Sequence, residues 1–180
     1  MRDGGFAVSG GAMELTAPDG ADIYEQHVQA PMLLQTPTGD FTLETDVTAR
    51  PRQMYQGAGL VLWSDPRHYV RLERGFGDVG AIVFEYKNGG AHTRVHPPFS
   101  RSADVVRTDD DRVVLQLIKT ADTVHARWRP TGAADWRELG SIAVALPRAT
   151  KAGVAALNRA PSGAVPTPFG ARFEYVRVSC

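Results

Sequence analysis

Hydrophobic and polar residues alternate along this chain with a period of two, in short runs set apart by turn formers. In Phe41–Thr48 the apolar positions Phe41, Leu43 and Val47 alternate with Thr42, Glu44, Asp46 and Thr48. One face of such a strand goes to a core and the other carries acids and hydroxyls. In His68–Gly75, Val70 and Leu72 point inward while Tyr69, Arg71 and Glu73 share the opposite face. Thr123–Arg129 sets Val124, Ala126 and Trp128 against His125, Arg127 and Arg129. Val113, Leu115 and Leu117 alternate with Val114, Gln116 and Ile118, a strand greasy on both sides and therefore central. Gly57–Ser64 and Gly80–Tyr86 read as further strands, the latter apolar until Glu85. Gly170–Val178 closes the chain and is expected to pair near the N-terminal strands. Helical periodicity is not found in any window of about a dozen residues.

The connections carry turn chemistry. Asp65-Pro66-Arg67 separates two strong strands, with proline fixing φ and aspartate able to accept a local backbone bond. Lys87-Asn88-Gly89-Gly90 is a hairpin signal, because Asn-Gly supplies the positive φ that primed turns require. Lys119–Asp122 and Pro130–Asp135 read as further hairpin loops, and His96-Pro97-Pro98 as a strand end, since proline cannot donate to a ladder. Asn158–Pro168 is the longest irregular stretch, the kind of loop that is often functional. With 18 Gly and 12 Pro spread along the chain, this rhythm predicts an all-β, two-sheet antiparallel sandwich. There is no internal repeat or linker, so one domain over residues 1–180 is expected.

Three groups of segments resemble a known family. The first is Ala30-Pro31-Met32-Leu33-Leu34-Gln35 with Gly39-Asp40-Phe41-Thr42-Leu43-Glu44-Thr45. The second is Gln56-Gly57-Ala58-Gly59-Leu60-Val61-Leu62-Trp63 followed by Tyr69-Val70-Arg71-Leu72-Glu73. The third is Val114-Leu115-Gln116-Leu117, Asp122-Thr123-Val124 and Trp136-Arg137-Glu138-Leu139-Gly140, with Gly153–Ala156 and Phe173–Val178 as closing strands. Together they resemble concanavalin A-like jelly-roll domains, in particular a bacterial and fungal family of unknown function related to the C-terminal domain of β-xylosidases. The resemblance implies a jelly-roll sandwich whose concave sheet often holds carbohydrate, found beside glycoside hydrolases or standing alone. No catalytic domain of that kind lies within these 180 residues.

Composition narrows the partners. Lys+Arg and Asp+Glu both total 20, a balance that gives no electrostatic reason to expect nucleic acid or an anionic membrane. It also leaves little colloidal repulsion near neutral pH, which favours a homo-oligomer. The one cysteine, Cys180, rules out an intrachain disulfide. Met1-Arg2-Asp3-Gly4-Gly5 has no apolar stretch behind it, and no run approaches the ~20 apolar residues of a membrane span. As it stands the sequence reads as soluble and cytoplasmic, an expectation that fails if the chain is a piece of a longer secreted one.

Glycan sites need flat aromatic faces to stack on sugar rings and fixed polar groups to read hydroxyls. The face of His68–Gly75 offers Tyr69, Arg71 and Glu73, with Trp63 just before that strand. Neighbouring strands are expected to add Glu44, Asp46, Gln116, His125 and Arg127, which laid across one sheet make a polar groove with an aromatic rim. The alternative is cross-strand salt pairing on a solvated sheet, with Trp63 in the core. Glu44 and Asp46 stand ~7 Å apart along one strand, a permissive spacing for a glycosidase pair. The Glu-x-Asp-x-x-Glu motif of jelly-roll glucanases is nevertheless incomplete, because Ala49 stands where the second Glu belongs. His92 and His96, read on a strand, are ~13 Å apart and do not share a zinc; with Arg94 they form a basic stripe. Thr108-Asp109-Asp110-Asp111-Arg112 is weighed for structural calcium and read as a solvated turn, so no cofactor or metal is assigned. A nucleophile elbow and a phosphate loop are both lacking.

The expected function is a non-catalytic binding domain for a carbohydrate or similar polyhydroxylated ligand, held by Trp63, Tyr69, Arg71, Glu73, Gln116, His125 and Arg127. The alternatives are a glycan-active hydrolase, lyase or isomerase using His125, Arg71 or Glu73, and a protein-interaction domain without a small ligand.

Overall fold

The structure is a computed structural model, and it describes residues 5–24, 29–96, 106–159 and 167–180. The N-terminal Met1–Gly4, the Pro97-Pro98 strand end and most of the Asn158–Pro168 stretch fall outside the described residues, as does the side chain of His96. Every regular element described is a strand. In chain order these are β1 (Gly5–Ser9), β2 (Ala12–Ala17), β3 (Met32–Gln35), β4 (Phe41–Ala49), β5 (Gln56–Asp65), β6 (His68–Gly75) and β7 (Ile82–Asn88). Then follow β8 (Ala91–His96), β9 (Arg112–Thr120), β10 (Thr123–Pro130), β11 (Arg137–Ala143), β12 (Lys151–Asn158) and β13 (Phe169–Ser179).

The strand pairings among the described residues are all antiparallel and build two sheets. The seven-stranded sheet runs β1-β2-β13-β4-β9-β10-β11 and the six-stranded sheet β3-β12-β5-β6-β7-β8. The closing strand β13 pairs with β2 on one side and β4 on the other, which places the C-terminal segment beside the N-terminal strands as its pattern predicts. Between the sheets lies the main core, where Leu43, Val47, Leu115, Leu117, Ala126 and Trp128 of one sheet meet Leu60, Leu62, Val70, Leu72 and Phe84 of the other. The alternation read from β4, β9 and β10 sets these faces correctly. Close approach of neighbouring strands also fixes one glycine, because a side chain at Gly153 would collide with the Leu33 carbonyl.

A second apolar cluster sits on the far side of the six-stranded sheet. It joins Ile23 and Ala30 to Val61, Tyr69, Phe76, Ala155 and Leu157, with Met32, Leu34, Tyr55 and Trp63 packed around it. The described residues between β2 and β3, 18–24 and 29–31, thus lie across the outward face of this sheet. It is tied down by a bridge from Ala21 to Asn158 and by the Asp22 carbonyl, which accepts from the Gln29 and Ala30 amides. That strap corrects one expectation. The face carrying Tyr69, Arg71 and Glu73 is not a solvated sheet surface: these residues are 0, 1 and 1% exposed.

A buried ionic cluster beneath the strap

The register of the six-stranded sheet assembles the cluster. On β6, Arg71 stands opposite Glu85 of β7 and Val61 of β5, and Tyr69 opposite Lys87 and Trp63. On β8, Arg94 stands opposite Glu85 and His92 opposite Lys87. Cross-strand partners share a face, so one side of the sheet collects Tyr69, Arg71, Glu73, Glu85, Lys87, His92 and Arg94. The strap adds Asp22 from above.

Arg71 is the hub. Its guanidinium lies 3.9 Å from the centroid of the Phe76 ring and 5.9 Å from that of Tyr69, an arrangement in which the rings' π faces favour the cation. One Nη pairs with Glu85. The other stands 3.8 Å from Asp22, and Nε stands 3.7 Å from Glu73 Oε2. Those two separations exceed hydrogen-bond length but lie within ion-pair distance, so Asp22 and Glu73 act on Arg71 through charge rather than through a formed hydrogen bond. Glu85, fully buried, also takes His92 at 3.2 Å and Arg94 at 3.3 Å. Lys87 lies 4.4 Å from the Tyr24 ring centroid, and Tyr24 meets the His92 ring edge-on.

The charge inventory has electrostatic consequences. Burial pushes the Glu73 carboxyl up to about 7, with Arg71 pulling the other way. Burial pushes Tyr69 up to about 12. Burial, reinforced by Arg71, Arg94 and Lys87, holds His92 down at about 4. Among the described residues, Tyr69 Oη, Arg71 Nε, Arg71 Nη1 and Glu73 Oε2 are buried without a hydrogen-bond partner. Leaving one such group without a hydrogen bond costs about 1–3 kcal/mol; here Glu73 and Asp22 meet Arg71 only at ion-pair distance, and Tyr69 Oη has no hydrogen bond. The cluster reaches solvent on its β8 side, where the His92 and Arg94 side chains are 23 and 18% exposed. At the far end of β6, Tyr55 and Phe76 pack edge-to-face, and both take positive φ (65° and 79°), a conformation unusual for an aromatic residue.

The structure does not bring the other expected site residues here. Gln116, His125 and Arg127 belong to β9 and β10, which join β4 in the seven-stranded sheet. Together with Glu44 and Asp46 they occupy its outward face, so the single groove expected from sequence is in fact two faces of two sheets. Period-two alternation assigns a residue to a face but not a strand to a sheet. On that second face most polar groups pair with one another, the exception among the described residues being Arg129 Nε, which is buried without a hydrogen bond. Tyr175 and Gln116 both donate to Glu44 at 2.7 and 2.5 Å, Arg127 donates to Gln116 at 2.7 Å and lies over Trp136, and Arg112 holds Asp46 through two bonds of 2.9 and 3.0 Å. His125 bonds Ser141 and Glu138. Burial and the bond to Glu44 raise the Tyr175 hydroxyl pKa. Trp63 belongs to the first face, where it stacks on Tyr69 at 6.0 Å between centroids and stays half-buried.

The family described as "Protein of unknown function (DUF1349)" matches residues 6–180. The chain belongs to this family. Among curated proteins none matches it. Solved structures of similar fold include a functionally unknown protein from Saccharomyces cerevisiae, 11% identical with a TM-score of 0.71, where 97% of this chain covers 91% of the other. A xylan β-1,4-xylosidase from Bacillus halodurans is 19% identical with a TM-score of 0.67, and 92% of this chain covers 32% of it. The chain therefore spans about a third of that enzyme. A legume lectin-like domain from Entamoeba histolytica is 12% identical with a TM-score of 0.63, over 99% of this chain and 88% of the domain. These likenesses establish a concanavalin A-like sandwich of the kind found in xylosidases and lectin-like domains.

Several members of the cluster carried little signal in the sequence. Glu85 is a single acid closing an apolar run, which marks it as buried and paired. His92 and Arg94 read as a basic stripe without a partner in view. Asp22, Tyr24 and Phe76 lie in irregular segments whose contacts are long-range, and no local pattern singles them out. Among the described residues no group of three or more His, Cys, Asp or Glu side chains is placed to hold a metal ion.

Proposed function

We propose that this protein binds a carbohydrate or similar polyhydroxylated ligand, without turnover, at the ionic cluster on the outward face of the six-stranded sheet. The observation that carries this reading is the row of buried polar atoms on Tyr69, Arg71 and Glu73 that make no hydrogen bond. A polyol supplies hydroxyls that both donate and accept, which is what a row mixing phenol, guanidinium and carboxyl requires. Trp63, half-buried beside Tyr69, offers the apolar ring face. Similarity to sandwiches in a xylosidase and a lectin-like domain supports the ligand class. Gln116, His125 and Arg127 satisfy one another and their neighbours, so they stand outside this site.

The test is an oligosaccharide array that includes xylo-oligosaccharides, followed by calorimetry on the hits. Saturable binding is expected, weakened roughly tenfold by Tyr69→Phe, the loss of about one hydrogen bond. Equal binding by Tyr69→Phe and Glu73→Gln overturns the assignment.

One observation favours a second reading. A carboxyl raised to about 7 is poised to give and take a proton near neutral pH, so Glu73 suits a glycan-active enzyme. Product release from any array hit, abolished in Glu73→Gln, decides for catalysis.

A further inference from the structure

The space between the sheets is closed along one edge and open along the other. At the closed edge Leu139 and Ile142 of β11 are buried and Val95 of β8 packs against the core. At the open edge β1 and β3 carry Phe6, Val8 and Leu33, which are 70, 73 and 48% exposed. These residues nevertheless point inward. Phe6 and Val8 stand opposite Leu15 and Met13, and Leu33 opposite Val154, all three partners being members of the inter-sheet core. A groove of about 480 Å³ runs beside them, lined by Phe6, Leu15, Pro18, Pro31, Met32 and Leu33.

Among the described residues the backbone of β1 at this edge has no further strand beside it. Gly10 and Gly11, with φ of 57° and 79°, form a two-residue primed turn between β1 and β2. Ser9 and Ala12 therefore exchange hydrogen bonds, and by alternation so do Ala7 with Glu14 and Gly5 with Thr16. The N–H and C=O groups of Phe6 and Val8 then point away from β2, and no strand among those described pairs with them. Protected edges carry charge, proline or a bulge; β1 reads Gly-Phe-Ala-Val-Ser and shows no register shift.

We infer that β1 pairs antiparallel with β1 of a second copy of this chain, centred on Ala7. The outward groups of Phe6 meet those of Val8 of the partner subunit, and the reverse, giving about four backbone bonds. The arrangement is its own two-fold complement, so the contact closes as a dimer and does not propagate. It joins the two seven-stranded sheets and sets Phe6 and Val8 of both copies side by side on the uncovered inward face. An uncharged strand on a chain of zero net charge meets itself without repulsion. So short a contact falls at or below the ~1,200 Å² of small stable interfaces, which predicts a reversible, concentration-dependent dimer.

Sedimentation equilibrium of the intact chain over a concentration series tests this. The parent is expected to pass from monomer to dimer. Val8→Pro removes an outward N–H that the hairpin does not use, and Phe6→Ser removes the apolar contact. Each should weaken dimerisation roughly tenfold or more while leaving the melting curve of the dilute protein unchanged. Should Val8→Pro alter that curve, Phe6→Ser decides. A parent that stays monomeric throughout, or variants that dimerise as strongly as the parent, overturns the proposal.

Discussion

The outward faces of the two sheets use the same residue types in opposite ways. On the seven-stranded sheet Glu44, Gln116, Arg127 and Tyr175 form a chain of hydrogen bonds at the surface, in which each group finds a protein partner. On the six-stranded sheet Arg71, Glu73 and Glu85 are buried beneath the strap that carries Asp22, and several polar atoms of Arg71 and Glu73 make no hydrogen bond. The first face is a solvated sheet managing its own charge. The second desolvates charge without completing its hydrogen bonds, a pattern that structural packing alone does not favour. Polarity is therefore a weak marker of a site here, and incomplete satisfaction under burial is the stronger one.

The largest effect is expected at the hub of the buried cluster. Arg71→Met leaves Glu85 buried without its nearest cation, and should cost about 3–5 kcal/mol in urea unfolding. A loss under about 1 kcal/mol would mean the cluster is solvated after all.

The next effect is on pH dependence. Glu73 holds its proton more tightly folded than unfolded, so its contribution to stability is present at low pH and is lost as pH rises from about 4.5 to about 7. His92 does the reverse: held at about 4 when folded, it favours unfolding as pH falls from about 6.5 towards 4. In the parent these two slopes oppose each other. Glu73→Gln removes the first, so its stability relative to the parent should grow between pH 5 and 8, on the order of 3 kcal/mol. Parallel pH profiles would contradict the burial of that carboxyl.

Much of the fold was legible. The alternation in Thr123–Arg129 matches the buried and half-buried positions of β10, and Asn88-Gly89-Gly90 marks the β7–β8 hairpin. The site was legible in part: Tyr69, Arg71 and Glu73 were separable from Val70 and Leu72 by period alone. Gln116 and Arg71 look alike at that level, each a polar position between apolar neighbours. What distinguishes them is the strap through Asp22 and Ile23, whose contacts span tens of residues and leave no periodic trace.

Smaller effects sharpen the contrast. Tyr69→Phe deletes a buried hydroxyl that lacks a protein partner, so the unliganded variant should be as stable as the parent or more so, by about 1 kcal/mol. Arg127→Met removes one bond from a surface network and should cost less than about 1 kcal/mol in the same assay. A larger loss at Arg127 than at Arg71 would reverse the assignment of the two faces.

The most direct test is amide chemical-shift mapping with the oligosaccharide that binds best on the array. Shifts are expected to concentrate at Tyr69–Glu73, Glu85 and His92, and to shrink severalfold in Tyr69→Phe at a ligand concentration near the parent's Kd. Shifts concentrated at Gln116, His125 and Arg127 would instead move the binding face to the other sheet.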